Sequence, residues 1–206
     1  WAGNPLISIA LEPHSPYLCA PELLQTAARL AAAHEARLVI HLAETRAEAD
    51  QIQERYGLTP VGHLAKIGIL GPNLVACHCV VLTPEDIELL ADRRVKVSHN
   101  PESNMKLASG IAPVPKLLDA GICVGLGTDG CTSNNNLDMF SEMDTAAKIH
   151  KVNGLDPTLM NARTVLKMAT CEAARVLGLE KMTGSLEVGK KADIIVIDTH
   201  KPHLTP

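Results

Sequence analysis

Aromatic side chains are nearly missing from this 206-residue chain: Trp1, Tyr17, Tyr56 and Phe140 make up the whole 2%. Its core must therefore be aliphatic, and 46% apolar residues are ample for one large domain or two small ones. A basic excess is missing too. The 19 Lys and Arg against 23 Asp and Glu give a formal charge of −4, so there is nothing to neutralise phosphates and little to stack on bases. A nucleic-acid partner is not expected. No run of 18 apolar residues occurs, so no membrane-spanning helix or membrane partner is expected. Six cysteines (Cys19, Cys77, Cys79, Cys123, Cys131, Cys171) are too sparse for a disulfide scaffold and read as the reduced thiols of a cytoplasmic protein. No P-loop is found, and there are no internal repeats or low-complexity segments. The chain starts at Trp1 with no Met or signal pattern, and it stops in the polar segment His200–Pro206.

What is present is a regular alternation of apolar runs and helical patterns. The runs are Leu6–Leu11, Arg37–His41, Asn73–Cys79, Val95–His99 and Ile122–Gly127. Helical patterns fall at Pro21–His34, Thr45–Arg55, Val61–Leu70, Thr83–Asp92 and Pro113–Ala120, with Pro21 and Pro84 suited to first helical turns. The runs are continuously apolar rather than alternating, as expected of parallel strands buried on both faces. Each closes on a reactive group: His14, His41, His78, His99 and Asp129. In a TIM-type (β/α)8 barrel the C-terminal strand ends converge on one pocket, whereas an open doubly wound sheet would gather its glycines at a switch point. The expectation is therefore an α/β metal-dependent hydrolase barrel. Five βα units are not eight, so the first part of the barrel is expected to be missing from residues 1–182. Helices at Leu137–Val152, Pro157–Thr170 and Cys171–Leu179 follow. The tight turn and β-rich run Asp193–Ile197 then read as the start of a small composite β domain over 183–206.

Four segments carry the chemistry, each with an ordinary reading beside the functional one. In His41-Leu-Ala-Glu44 the imidazole could ligate a metal while Glu44 shuttles protons, or the pair could be a buried histidine and a helix cap. In Cys77-His78-Cys79, strand alternation puts both sulfurs on one face as packed thiols and His78 on the other, toward the pocket. Ser98-His99-Asn100-Pro101-Glu102-Ser103-Asn104 reads as a well-knit turn. Gly127-Thr128-Asp129-Gly130 allows close backbone approach, with Asp129 as ligand, base or helix cap. His14 could contact substrate or brace a proline-rich turn, and His34, His63, His150, His200 and His203 read as surface or structural.

HLAET at 41–45, the histidine at 78, SHNPESNMKLASGIAPV at 98–114 and LGTDGCTSNNNLDMF at 126–140 resemble the amidohydrolase superfamily. Within it they are most similar to the 5′-methylthioadenosine/S-adenosylhomocysteine deaminases, and the segment 169–198 resembles the passage from barrel to composite β domain. The resemblance implies His41 and Asp129 as metal ligands. It implies Glu44 as the residue that binds substrate and carries protons, and His78 as the one that orients the attacking water. Asp129 would also serve as proton acceptor, and His14 would touch substrate. The family's His-x-His ligand pair has no counterpart here, so the chain is similar to the C-terminal part of such an enzyme. Two-metal members carry a lysine where this chain has Glu12-Pro13-His14, so one divalent ion is implied, zinc or iron. The implied reaction is hydrolytic deamination of a modified adenosine, a small nucleoside substrate, to an inosine-type product and ammonia, with self-association left open. Two alternatives stand beside it: hydrolysis at a guanine or triazine ring, since related enzymes share much of the pattern, and a non-catalytic barrel remnant kept for assembly or binding. The isolated piece, with two ligands and open sheet edges, is expected to be inactive and poorly soluble or oligomeric.

Overall fold

The computed structural model describes residues 4, 6–201 and 204. Four strands, β1 (Leu38–Leu42), β2 (Leu74–His78), β3 (Lys96–His99) and β4 (Val124–Leu126), form one sheet in the order β1-β2-β3-β4. All three pairings are parallel, so each strand lies beside its predecessor in sequence, as in a barrel wall. Helices cross between them: α1 (Pro21–Ala33) enters β1, α2 (Arg46–Tyr56) and α3 (Pro60–Lys66) link β1 to β2, and α4 (Pro84–Asp92) links β2 to β3. α5 (Pro101–Lys106) and α6 (Val114–Asp119) precede β4, and α7 (Cys131–Asn134), α8 (Met139–Gly154), α9 (Ala162–Ala169) and α10 (Cys171–Leu177) follow it.

Capping chemistry sets several of these boundaries. Thr45, Thr59 and Thr83 each accept a hydrogen bond from the first turn of α2, α3 and α4, and Thr83 forms a reciprocal capping box with Asp86. Asp138 accepts from the amides of Phe140 and Ser141, so α8 starts two residues later than the sequence pattern predicts. Asn161 caps α9 through Thr164, which leaves the expected start at Pro157 outside the helix. The segment 98–104, expected as a turn, contains α5 with Pro101 in its first turn.

Register builds two faces. Ile40, Ala76, Val97 and Val124 are fully buried neighbours across the sheet, packed with Leu24, Leu64, Leu90, Leu117 and Met168 in a core that, among the described residues, holds no aromatic side chain. One residue on, His41 pairs with Cys77, Cys77 with Ser98, and Ser98 with Gly125, all on the opposite face. That alternation places polar groups on the concave side of the sheet.

Two expected strands are corrected. Leu6–Leu11 makes only an isolated parallel bridge, Leu11 to Leu38, with Leu6 86% and Ile9 60% exposed. The segment runs beside β1 through bonds from Leu11 to Arg37, Val39 to Leu11 and His41 to His14, but it has a partner on one side only. Asp193–Ile197 forms no strand either, and Val196 is 96% exposed. An apolar run needs a neighbouring strand and a covered face before it becomes sheet. Trp1 and His203 lie outside the described residues.

Candidate metal centre and active site

β1 delivers His41 at its C-terminal end. The His14 carbonyl accepts both from the His41 main-chain amide (2.9 Å) and from its Nδ1 (2.8 Å). A carbonyl can only accept, so Nδ1 carries the proton and Nε2 presents its lone pair to the concave face. The next corner is tight: Ala43 has φ of 52°, its amide bonded to Glu48 and its carbonyl accepting from Val80 and Val81. Glu44 follows and leans over the strand ends, with Ser109 Oγ donating to its Oε1 at 3.0 Å.

β2 ends in a distortion that the alternation rule does not foresee. His78 and Cys79 both have positive φ, 72° and 50°, and this left-handed pair swings the His78 ring into the pocket. Its ring stacks at 5.4 Å on that of His41. Nδ1 bonds the Asn104 side-chain Oδ1 at 2.8 Å, while Nε2 is buried with no protein partner, 3.9 Å from Glu44 Oε2 and 4.0 Å from Asp129 Oδ2. The expectation that both sulfurs share one face fails. Cys77 is in register with His41 on the concave side, and Cys79 lies in the core. Burial, helped by Glu12, Asp129 and Glu44, pushes the Cys77 thiol up to about 12, and Cys79 is raised as well. Both are therefore protonated thiols at neutral pH.

β4 leads through Gly127 to Asp129. A side chain at Gly127 would meet Ser98 Oγ at 2.6 Å and Asn100 Oδ1 at 2.7 Å, so only glycine lets the strand end pass this close. Asp129, at φ of 59°, takes hydroxyl donors from Ser103 (2.7 Å) and Ser133 (2.6 Å) on Oδ2. Burial works to raise this carboxyl. The two serines, the Gly130 amide and His78 outweigh it and hold the group below its usual range, hence ionised.

Ligand atoms of His41, His78 and Asp129 all lie within 4.8 Å of one another. Two imidazoles and a carboxylate, with one imidazole nitrogen buried and otherwise unpartnered, form a donor set that suits a divalent cation. His78 thus joins His41 and Asp129 around one point. His14 sits beside them, exposed, its ring 4.7 Å from that of His41 and its Nδ1 on Ser15 Oγ. His99, expected at the pocket as a strand-end group, is instead buried with its Nε2 3.1 Å from His150 Nε2. Desolvation, then His150 and His78, lower the His99 pKa strongly, and burial brings His150 to about 4, so both rings are neutral. His63 is buried against Tyr56, while His34 and His200 are exposed.

Sequence reasoning missed the supports. Ser103, Asn104, Ser109 and Ser133 each hold a reactive side chain, and Glu48 and Glu142 are buried carboxylates behind the loops. Ser103 and Asn104 were visible only as members of a polar stretch.

A family model for the amidohydrolase family matches residues 2–206. The chain belongs to this family. It is 60% identical, over its whole length, to a 5-methylthioadenosine/S-adenosylhomocysteine deaminase of Syntrophobacter fumaroxidans, covering 47% of that protein. It is 52% identical over 200 residues to a 5′-deoxyadenosine deaminase of Methanothermobacter thermautotrophicus, covering 97% of this chain and 46% of that one. Among solved structures it resembles an adenosine deaminase from Xanthomonas campestris with bound zinc, with a TM-score of 0.96 and 41% identity over all of this chain and 47% of the other. The chain therefore spans about half the length of the curated relatives it matches, and its four strands are part of a larger α/β barrel of the amidohydrolase kind. Among the described residues no helix is long and apolar enough to cross a membrane.

Proposed function

We propose that this chain supplies the metal-binding and proton-transferring strand ends of an aminohydrolase that converts a 5′-modified adenosine, such as 5′-methylthioadenosine or S-adenosylhomocysteine, to the inosine-type product and ammonia. One observation carries the reading. Three ligand atoms from His41, His78 and Asp129 lie within 4.8 Å of one another, with the Glu44 carboxylate 3.9 Å from the buried Nε2 of His78.

His41, through Nε2, and Asp129 would hold a single zinc ion, which supplies the positive charge that makes water a nucleophile near neutral pH. His78 Nε2, with a free lone pair, accepts a hydrogen bond from the attacking water and fixes its direction. Asp129, kept ionised by Ser103 and Ser133, takes a proton from that water as oxygen adds to the ring carbon bearing the amino group. Glu44 delivers a proton to the adjacent ring nitrogen, and Ser109 holds its other oxygen. The proton on Asp129 then passes to the leaving amine, the Glu44 carboxylate takes the remaining proton from the added oxygen and is restored as the acid, the C–N bond breaks, and ammonia departs. His14 lies at the exposed rim, where it can touch the substrate. We place the protein in the cytoplasm, where its six free cysteines stay reduced. We take 183–206 as the opening of a second, β-rich unit.

The test uses the full-length protein that contains this chain, with ammonia release and metal content by emission spectroscopy as readouts. His41→Ala and Asp129→Ala lose metal and activity together. Glu44→Gln keeps the metal and loses about 10²- to 10⁴-fold in turnover, the range general acid–base groups contribute. A Glu44→Gln protein without metal overturns the role given to Glu44, and preferential turnover of guanine or a chlorotriazine overturns the substrate class.

A further inference from the structure

The proposed chemistry leaves a buried carboxylate unused. Glu48, on α2, is 2% exposed, and both its oxygens point back at the preceding corner: Oε1 accepts from the Ala43 amide at 3.0 Å and Oε2 from the Glu44 amide at 2.7 Å. Desolvation pushes this carboxyl up to about 7 against the pull of those two amides, so the residue is held at some cost to the fold. Capping explains only part of this: Thr45 accepts from the Glu48 amide at the start of α2 and the Thr45 amide also favours the Glu48 carboxylate, but the two amides on its oxygens at 3.0 and 2.7 Å lie beyond the cap, in the corner.

What Glu48 controls is the peptide that aims Glu44. Ala43 stands at φ of 52°, a conformation that a non-glycine residue keeps only when its surroundings impose it. Its carbonyl is gripped by the amides of Val80 and Val81 at 3.0 and 2.8 Å, and its amide by Glu48. With both sides of Ala43 fixed and the Glu44 amide fixed as well, the Cα–Cβ bond of Glu44 is aimed at the strand ends, where Ser109 holds one carboxylate oxygen and the other lies 3.9 Å from His78 Nε2.

We infer that Glu48 is a positioning residue for proton transfer, acting through the main chain of Ala43 and Glu44. This rests on Glu44 carrying the proton. Gln at position 48 keeps one acceptor oxygen and turns an amide donor toward the other main-chain N–H, so it releases half the clamp while preserving size. Misplacement of a reacting group by about 1 Å can cost about 10²-fold in rate.

In the full-length enzyme, Glu48→Gln is expected to lower kcat by about 10- to 100-fold, with KM within about twofold and metal content unchanged. The decisive arm is a double-mutant cycle. In a Glu44→Gln background, Glu48→Gln should cost nothing further, because the carboxylate it aims is gone; a merely structural loss would lower kcat by the same factor in both backgrounds. Equal factors, or a Glu48→Gln enzyme with wild-type kcat beside an impaired Glu44→Gln, overturn the inference alone. Wild-type turnover by Glu44→Gln overturns the role of Glu44 and this inference with it. If Glu48→Gln does not fold, Glu48→Asp, whose carboxylate is one methylene short of the corner, takes its place in the cycle, with the same selective loss expected and wild-type kcat overturning.

Discussion

The corner after β1 and the loop after β4 meet one requirement in two ways. Each holds a carboxylate, proposed above as reactive, just past a strand end, and each bends there through a non-glycine residue of positive φ, Ala43 at 52° and Asp129 at 59°. Each is backed by a buried glutamate from a later helix. At β1 the support is direct, since Glu48 takes two main-chain amides on its own oxygens. At β4 it is relayed. Glu142 on α8, fully buried, accepts from the Asn134 side chain and the Glu102 amide, and Asn134 Nδ2 also donates to the Thr128 carbonyl. A corner lying one turn from its helix can be clamped by a single residue of that helix. The longer loop around Asp129 lies too far from α8 for that and draws on α5, α7 and α8 together. Relays distribute the restraint, and they fail at their weakest member.

The largest effect expected from breaking the relay is at Asn134. Asn134→Ala removes the donor from a half-buried Thr128 carbonyl and strands a Glu142 oxygen in the interior, and a buried unsatisfied group costs about 1–3 kcal/mol. We expect a loss of about 2–3 kcal/mol in urea unfolding, together with a zinc affinity weakened toward the 10- to 100-fold typical of lost outer supports. A loss under about 0.5 kcal/mol, within the ordinary range for surface substitutions, would show that the loop holds itself and that the likeness to the β1 corner is superficial.

A smaller effect is expected one step closer to the carboxylate. Ser103 and Ser133 donate to the same oxygen of Asp129, so either can partly cover for the other. Ser103→Ala and Ser133→Ala should each weaken zinc binding only a few-fold, while the double variant approaches the 10- to 100-fold range. Chelator competition on the full-length protein measures this. Equal losses in the single and double variants would mean that one hydroxyl does all the holding.

How much of this was legible in sequence follows the same division. The four strands and the reactive groups at their ends could be read because continuous apolar runs and histidines are properties of single segments. Where a side chain points was legible only in part. His78 faces the pocket as expected, though through a left-handed backbone and not through strand alternation, and His99, one strand over, turns away to meet His150. Leu6–Leu11 and Asp193–Ile197 have strand composition but lack the neighbours that make a strand, and composition cannot supply a neighbour. Glu48 lies in a mostly polar helix, and Glu142 in one of mixed character. Spacing alone does not tell their carboxylates from the solvated ones beside them.

The smallest expected effect tests whether Glu142 supports its loop as a charged or a neutral group. Desolvation, with the nearby Glu102 and Asp129 adding to it, raises its pKa to about 7 against the hydrogen bonds from the Glu102 amide and Asn134, from an ordinary value of 4.5. Between those two values the folded protein binds more protons at this site than the unfolded chain does, so the site's contribution falls as pH rises. It is fully present below about 4.5, is lost as pH climbs through about 7, and stays lost above. Glu142→Gln cannot ionise and keeps an oxygen for Asn134, so its stability relative to the parent should improve from pH 5 to about pH 7 and level off by pH 8. Urea midpoints of parent and variant across that range measure the difference directly, with the histidine contributions common to both cancelling. A difference that does not change with pH would mean that Glu142 keeps the same charge throughout the range, and the relay would then rest on its hydrogen bonds and not on its ionisation.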